Sequence, residues 1–528
     1  MEVLNKKKAK LSLGILTILF LLIQTCVPVF ATITEDTNTS TITVSGLEAG
    51  VTAYLYQLTT VNYNYDADQP EDPQYVWVDE LQDWISSNFS SYINSDGSVS
   101  EDFNEDDISS SDATDFYSKL ISAIKGGEIS LTATASQTAS GTATYPVTEE
   151  NANNEVEFTG LSMGTYLVLV ENGYRVYTPV VVNLTPTYDE DTGTWSLEAV
   201  EAEADIKSTT PTITKTFSDN TETSADNYST ADTVISFTII ADVPNYETDS
   251  LSTTYIIEDT LGGGLSLNRN TGYTKVYGIT GSTETELSSS AYTLTTSASK
   301  LTIEFNYDEI SSYEQIKVTY SARFGSHSTL VLGSDGNTNT ATLIYSNNPY
   351  VASSTTTQDS DELTVYTYGL EILKVDKSDT SVVLEGAEFE LQDSEGNTLY
   401  FALEDGIYIV QPSNFEGVES TLVTDENGLI TVYGLDEGTY YLTETKAPSD
   451  YTISTSTVTI EIVDEDLDGI IDTDTDAVYN ITFPNSSSFS LPLTGGTGTI
   501  IFVVAGIVFI GVGIILIFKK KKSKEKLN

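Results

Sequence analysis

The C-terminal end of this chain constrains it more than any other stretch. Ile500 to Phe518 is 19 residues without a charged side chain, which as a helix spans about 29 Å, the depth of a bilayer core. Lys519 to Lys522, Lys524 and Lys526 follow at once, and such a basic cluster keeps its end of the helix in the cytoplasm. What precedes Ile500 is thus expected to fold outside. The N-terminal end agrees. Lys6, Lys7, Lys8 and Lys10 precede an apolar stretch from Leu11 to about Val27, and Val29-Phe30-Ala31 puts small residues at cleavage offsets. This reads as a secretory signal peptide over 1–31. Cys26, the only cysteine, lies inside it. The exported chain then has no disulfide and must find stability elsewhere.

Just outside the apolar run stands Leu491-Pro492-Leu493-Thr494-Gly495. An L-P-x-T-G pentapeptide, an apolar helix and a basic tail in that order resemble the sortase sorting signal of Gram-positive surface proteins. The resemblance implies that a sortase cysteine cleaves between Thr494 and Gly495 and passes the Thr494 acyl group to an amine. It also implies a protein secreted to the cell surface and anchored to peptidoglycan.

Between Ala31 and Thr494 the chain carries ten lysines, three arginines and one histidine against 76 acidic residues. So acidic a surface repels nucleic acid and anionic lipid, which argues against both as partners. Thr, Ser, Val, Ile and Tyr dominate, Met and Pro are sparse, and turn signals recur at short intervals. That is a composition for pleated sheet. We expect an all-β chain of tandem immunoglobulin-like β-sandwich domains, with short helices inserted in the first and a C-terminal transmembrane helix over 500–518.

Alternating segments such as Thr41-Ile42-Thr43-Val44 and Glu155-Val156-Glu157-Phe158 bracket an N-terminal domain over 32–206. Its run Gly164 to Val170 suits a central strand, and Val76 to Trp84 and Asp115 to Lys125 have helical spacing. A second all-β domain is expected over 207–350, a Ser/Thr-rich linker over 351–364, a third domain over 365–487 and the sorting signal over 491–528.

Lysine is scarce, so its positions are informative. In Ile213-Thr214-Lys215-Thr216-Phe217, strand alternation puts Lys215 on the apolar face with Ile213 and Phe217. A buried lysine costs several kcal/mol, roughly, unless it is paired or neutral. Asp259 shares a face with Tyr255 and Ile257, and Asn339 with Ala341, Leu343 and Tyr345. Lysine, carboxyl and carboxamide are thus expected to converge in a dry interior. The third domain repeats the pattern with Lys374 beside Leu370 and Ile372, Glu444 beside Tyr440 and Leu442, and Asn485 beside Ile481 and Phe483. Asn480 has the opposite parity and is the poorer candidate.

Tyr440-x-Leu442-x-Glu444 followed by Ala447-Pro448, with Lys374-Val375-Asp376 upstream, resembles the E-box and first strand of a CnaB-type domain. The second domain resembles the fimbrial D2-type isopeptide domain, and the chain is thereby similar to the LPxTG-anchored backbone pilins of Gram-positive bacteria. The resemblance implies internal isopeptide bonds Lys215–Asn339 and Lys374–Asn485, formed with loss of ammonia under catalysis by Asp259 and Glu444. The structural alternative at each site is a buried lysine–acid ion pair with an asparagine nearby. The first domain has only Lys119 and Lys125, in an expected helix, and no such bond is expected there.

Pilins of this family are joined when the acyl-enzyme is captured by a lysine between the first and second domains, usually in a Tyr-Pro-Lys-Asn string. Here Ala204-Asp205-Ile206-Lys207-Ser208 lacks the Tyr, Pro and Asn of that string. Position still favours Lys207, the only lysine between Lys125 and Lys215. The alternative is a linker lysine with no role.

Asp464-x-Asp466-x-Asp468-Gly469-Ile470-Ile471-Asp472 resembles the start of an EF-hand calcium loop, with Thr475 where the last glutamate belongs. A solvated acidic turn is the favoured reading, and calcium the metal it would otherwise take; no cofactor is expected. The lone His327 and the cysteine-free exported chain leave no nucleophilic triad. The sequence reads as a non-enzymatic backbone subunit of a sortase-assembled pilus. Its implied partners are a class C-type pilin sortase, a housekeeping sortase, copies of itself, peptidoglycan, and minor pilins or a host ligand. The alternative is a monomeric wall-anchored adhesin or minor pilin that binds a host or glycan ligand.

Overall fold

The computed structural model describes residues 40–488, apart from 65–66, 68, 104–109, 146, 148–152, 197–199, 219–223, 226–233, 248, 269–273, 465–470 and 472–476, and then residues 497–524. The signal peptide, Leu491 to Gly495, Asp466, Asp468 and Asp472 lie outside the described residues. The chain divides into two compact units, one of residues 1–368 with 464–477, the other of 369–463 with 478–528.

The first unit begins with a sandwich. One sheet contains β1 (Ser40–Leu47), and the facing sheet has β2 (Thr52–Gln57) hydrogen-bonded to β3 (Gly164–Glu171). The strand β3 is central, as its apolar run predicts, and every residue from Gly164 to Val170 is buried. The reason is that both its faces are covered. Tyr166, Val168 and Val170 pack into the sandwich core, whereas Leu167 and Leu169 pack into a second cluster. That cluster is built by the helices α1 (Asp79–Asn88) and α2 (Ser110–Gly126), which supply Leu81, Ile85, Phe116, Leu120 and Ile124. A strand covered on two sides reads as a continuous apolar run. The sequence places the first helix too early, since Val76 and Trp77 still belong to the strand Gln69–Trp77.

The second domain belongs to the same unit. One sheet carries β4 (Ile213–Phe217), β5 (Ile235–Asp242) and β6 (Gln315–Phe324), in the order β4-β5-β6. The facing sheet pairs β7 (Tyr255–Leu261) with β8 (Asn337–Tyr345). The supposed linker 351–364 is not a linker. Thr356–Asp359 pairs with Thr342 to Tyr345, and Leu363–Val365 pairs with Asn337 to Asn339. Its threonine-rich composition looks like a spacer, but Gln358, Leu363 and Val365 alternate inward and are buried. The strand β8 is therefore not the last of its domain.

A short junction joins these two domains. Asn347 and Asn348 donate their amides to the carbonyls of Gly173 and Val170 at 2.9 and 3.1 Å, and Tyr350 is buried in the helical cluster. Buried Glu48 accepts from the backbone N–H groups of Tyr174 and Arg175 at 2.8 and 2.9 Å, which fixes the same turn. Next to it Ser208–Thr209 pairs with Val176–Tyr177.

The second unit is the third sandwich. A five-stranded sheet places β9 (Tyr368–Asp376) beside β10 (Val478–Asn485) in parallel, and a four-stranded sheet contains β11 (Gly438–Lys446). The helix Thr497–Lys524 follows, and its window Phe502–Lys519 is long and apolar enough to cross a membrane.

Candidate cross-linking sites and wall anchor

In the second domain the strand alternation delivers all three side chains to one place. Lys215, Asp259 and Asn339 are 2%, 0% and 0% exposed. Asp259 lies opposite Ala341 and Asn339 opposite Leu261, so the two side chains are diagonal neighbours on adjacent antiparallel strands. Lys215 reaches them from the other sheet, and its Nζ forms an ion pair with Asp259 Oδ2. The ammonium also lies 5.3 Å from the Phe237 ring centre and 5.6 Å from that of Tyr320. Burial pushes the Lys215 amine down to about 8, against the pull of Asp259, and pushes the Asp259 carboxyl up. Both shifts favour the neutral pair, amine and carboxylic acid, because isolated charges are costly in so dry a place. Among the described residues the Oδ1 atoms of Asp259 and Asn339 find no hydrogen-bond partner. A proton on Asp259 supplies the donor that such a cluster of acceptors lacks.

The sequence missed Tyr320. Its hydroxyl accepts from Asn339 Nδ2 at 2.9 Å, and the Asp259 carboxyl adds to burial in raising the proton affinity of that hydroxyl. The signal was present, since Tyr320 alternates with Val318 and Ala322 on the inward face of β6. Only the pairing of β6 with β5 shows that this face meets the lysine.

The third domain collects its trio differently. Lys374, Glu444 and Asn485 are 0%, 3% and 2% exposed. Lys374 lies opposite Phe483, and Asn485 opposite Asp376, on neighbouring strands of one sheet. Glu444 comes from the facing sheet. Its Oε1 is 3.5 Å from Lys374 Nζ and accepts from Asn485 Nδ2 at 2.7 Å, while Oε2 accepts from the Ser454 N–H at 2.6 Å. Lys374 Nζ also donates to the Phe483 carbonyl at 3.2 Å and sits 4.9 Å from that ring centre. Burial lowers the Lys374 amine, with Glu444 opposing. Gly428 holds this strand closely: its carbonyl accepts from the Lys374 N–H at 2.8 Å, and its φ is +70°. A Cβ there would meet the Lys374 carbonyl oxygen at 2.8 Å.

In the first domain Lys119 pairs with Asp115, and Lys125 pairs with Glu171 beneath Tyr54 and Tyr56. Asn480 is exposed and its amide caps the carbonyl of Val478. Lys207 is exposed, and its carbonyl accepts from the Thr178 N–H at 2.9 Å. Of the acidic loop, Asp464 is buried and accepts from the Tyr368 hydroxyl at 2.6 Å. His327 lies at a turn after β6.

Residues 369–476 match the family model of the SpaA prealbumin-like fold domain, and residues 484–525 match that of the LPXTG cell wall anchor motif. The trypsin-resistant surface T6 protein of Streptococcus pyogenes serotype M6 is 24% identical over 271 residues. That match covers 48% of this chain and 46% of the relative, so it spans about half the length of each. Among solved structures, the T6 backbone pilin of serotype M6 Streptococcus pyogenes superposes with a TM-score of 0.54 and 18% identity, covering 82% of this chain and 81% of that one. The full-length major pilin SpaD of Corynebacterium diphtheriae gives 0.50 and 17%, covering 87% and 100%. The class is thus a cell-wall-anchored surface protein of tandem β-sandwiches. Within that class the chain has the fold of the Gram-positive LPxTG backbone pilins, with a prealbumin-like SpaA domain ahead of its anchor.

Proposed function

We propose that this chain is a backbone subunit of a sortase-assembled, covalently polymerised pilus, stiffened by the isopeptide bonds Lys215–Asn339 and Lys374–Asn485. The observation that carries the reading is the burial of two lysine–acid–asparagine trios in a chain without an exported cysteine. An ion pair alone explains them poorly. Two buried charges gain little over an apolar pair of equal volume, so a trio of this kind is weak evidence for stability by itself. A covalent bond accounts for it better.

The condensation balances as follows. The neutral lysine amine attacks the asparagine Cγ, and the protonated carboxyl donates to the developing oxyanion. The amine then gives up a proton, the carbonyl re-forms, and the carboxamide nitrogen leaves with that proton as ammonia. The acid ends as it began. Each event occurs once per chain, so this is maturation and not enzymatic turnover.

For polymerisation we assign Lys207 as the amine that captures Thr494 of another copy. It is exposed, and it lies at the junction where Ser208–Thr209 pairs with Val176–Tyr177. Tension would then enter at Lys207 and leave at Thr494 through the second and third domains, which hold the two trios. The first domain, whose two helical lysines make ion pairs with Asp115 and Glu171, would lie off that path.

Two measurements test the reading. Intact mass of the mature chain should fall short of the sequence mass by two ammonia molecules, and the full mass would overturn the cross-links. Wall extracts should show a high-mass ladder that disappears in Lys207→Ala and in Lys207→Arg, since guanidinium keeps its charge. A single band in the native strain would favour the monomeric adhesin instead.

A further inference from the structure

We propose that Tyr320 is a catalytic residue of the second domain, carrying a proton from Asp259 to the departing nitrogen of Asn339. The inference rests on the cross-link reading above and adds a group to it. Four observations support it. Tyr320 is 2% exposed, so water is a poor competitor for the same task. Its hydroxyl touches a reacting atom, since Asn339 Nδ2 donates to it at 2.9 Å. The Asp259 carboxyl is near enough to add to burial in raising the proton affinity of the same hydroxyl. Its ring is stacked on Phe237 at 5.3 Å and 22°, and both rings flank the Lys215 amine, so the hydroxyl is held in place.

The geometry sets a problem that the tyrosine solves. A carboxamide nitrogen is a very poor leaving group unless it is protonated as it departs. The Lys215 amine carries the proton to be delivered, and that amine is paired with Asp259 Oδ2. Asn339 Nδ2, however, is directed at Tyr320. In the tetrahedral intermediate Asp259, whose own proton has passed to the oxyanion, takes the proton from the former amine. Asp259 then gives a proton to the Tyr320 oxygen while the Tyr320 O–H proton moves to the nitrogen, whose lone pair is no longer conjugated. The C–N bond breaks, the carbonyl re-forms as its oxygen returns the first proton to Asp259, and ammonia leaves. Tyrosine and aspartic acid are unchanged, and no outside reactant is needed. Burial holds the Tyr320 hydroxyl well above its ordinary range, so the group enters the step protonated. The third domain has no need of such a relay, because Glu444 Oε1 itself takes the Asn485 nitrogen at 2.7 Å.

The test follows condensation in the mature full-length chain after cell-free synthesis, by mass spectrometry of peptides from each domain. The Lys374–Asn485 bond serves as an internal clock. Tyr320→Phe keeps the ring and should slow the second-domain bond on the order of a hundredfold, as expected for loss of a general acid–base group, with the third-domain bond unchanged. Closure of the Lys215–Asn339 bond at the native rate would overturn the relay. Synthesis with 3-fluorotyrosine, which keeps ring and hydroxyl but makes the hydroxyl more acidic, separates proton transfer from packing. A changed second-domain rate beside an unchanged third-domain rate supports the relay, and an unchanged rate at both overturns it. Failure of the native chain to lose the second-domain ammonia would overturn the cross-link reading itself.

Discussion

In the second domain lysine and asparagine come from opposite sheets, whereas in the third they stand on neighbouring parallel strands of one sheet. The acid changes place accordingly. Asp259 is on the strand next to Asn339, while Glu444 reaches across from the facing sheet. The two domains thus assemble the same three functional groups, amine, carboxyl and carboxamide, from different topologies. What they share is a dry interior that weakens the lysine's hold on its proton and a carboxyl within reach of both partners. Convergence of chemistry, not strand connectivity, defines such a site. The mechanical consequences differ as well. A Lys215–Asn339 bond would pin two sheets together, and a Lys374–Asn485 bond would reinforce a parallel pair.

The largest effect should come from removing each acid. Asp259→Ala should leave the second-domain ammonia in place and the third-domain bond complete, and Glu444→Ala should do the reverse. Peptide mass spectrometry reads both. If either substitution blocked both bonds, the two sites would not be the independent devices compared here.

Next in size is stability. Each bond would close a loop of more than a hundred residues, and the loop-entropy account of cross-links gives about 4–5 kcal/mol apiece. Asn485→Ala should lower the melting transition of the third domain and open it to trypsin at Lys374, Lys377 or Lys446. Asn339→Ala should lower the transition of the second and spare the third. Unchanged melts in both variants would show that the trios are only packed, not bonded.

A smaller effect sharpens the contrast between bonded and unbonded lysine. In Asn339→Ala the amine of Lys215 can no longer be consumed, so it keeps a folded-state value of about 8 against 10.5 when unfolded. The unfolded chain then binds more protons between those values, and stability rises with pH across that window. With the Lys215–Asn339 bond in place, the nitrogen would be an amide and would not titrate there. The difference between the two pH profiles, measured by denaturant unfolding, should therefore grow narrower from pH 8 toward 10.5. Parallel profiles would mean that burial does not hold the amine down. Asn485→Ala should show a trend of the same sign, since Lys374 is lowered too.

Much of this site was legible before any coordinates. Period-two alternation put Lys215, Asp259, Asn339, Lys374, Glu444 and Asn485 on inward faces, and all six are buried. A strand has only two faces, so parity alone decides which residues meet the core. The apolar run of β3 and the helix pattern of Asp115 to Lys125 were equally plain. Composition misled where its prior was weak. The threonines of 351–364 suit a spacer and an edge strand alike, and only the partners offered by β8 make them strands.

The sequence by itself therefore determined the faces of the strands and the residue types that those faces carry inward. Tertiary structure decided which faces meet. Parity is a local property of the backbone, but the pairing of β6 with β5, which brings Tyr320 to Asn339, depends on contacts distant along the chain. So does the choice of Asp259's neighbour and of Glu444's reach. A two-residue period fixes direction, and only the packed sandwich fixes distance.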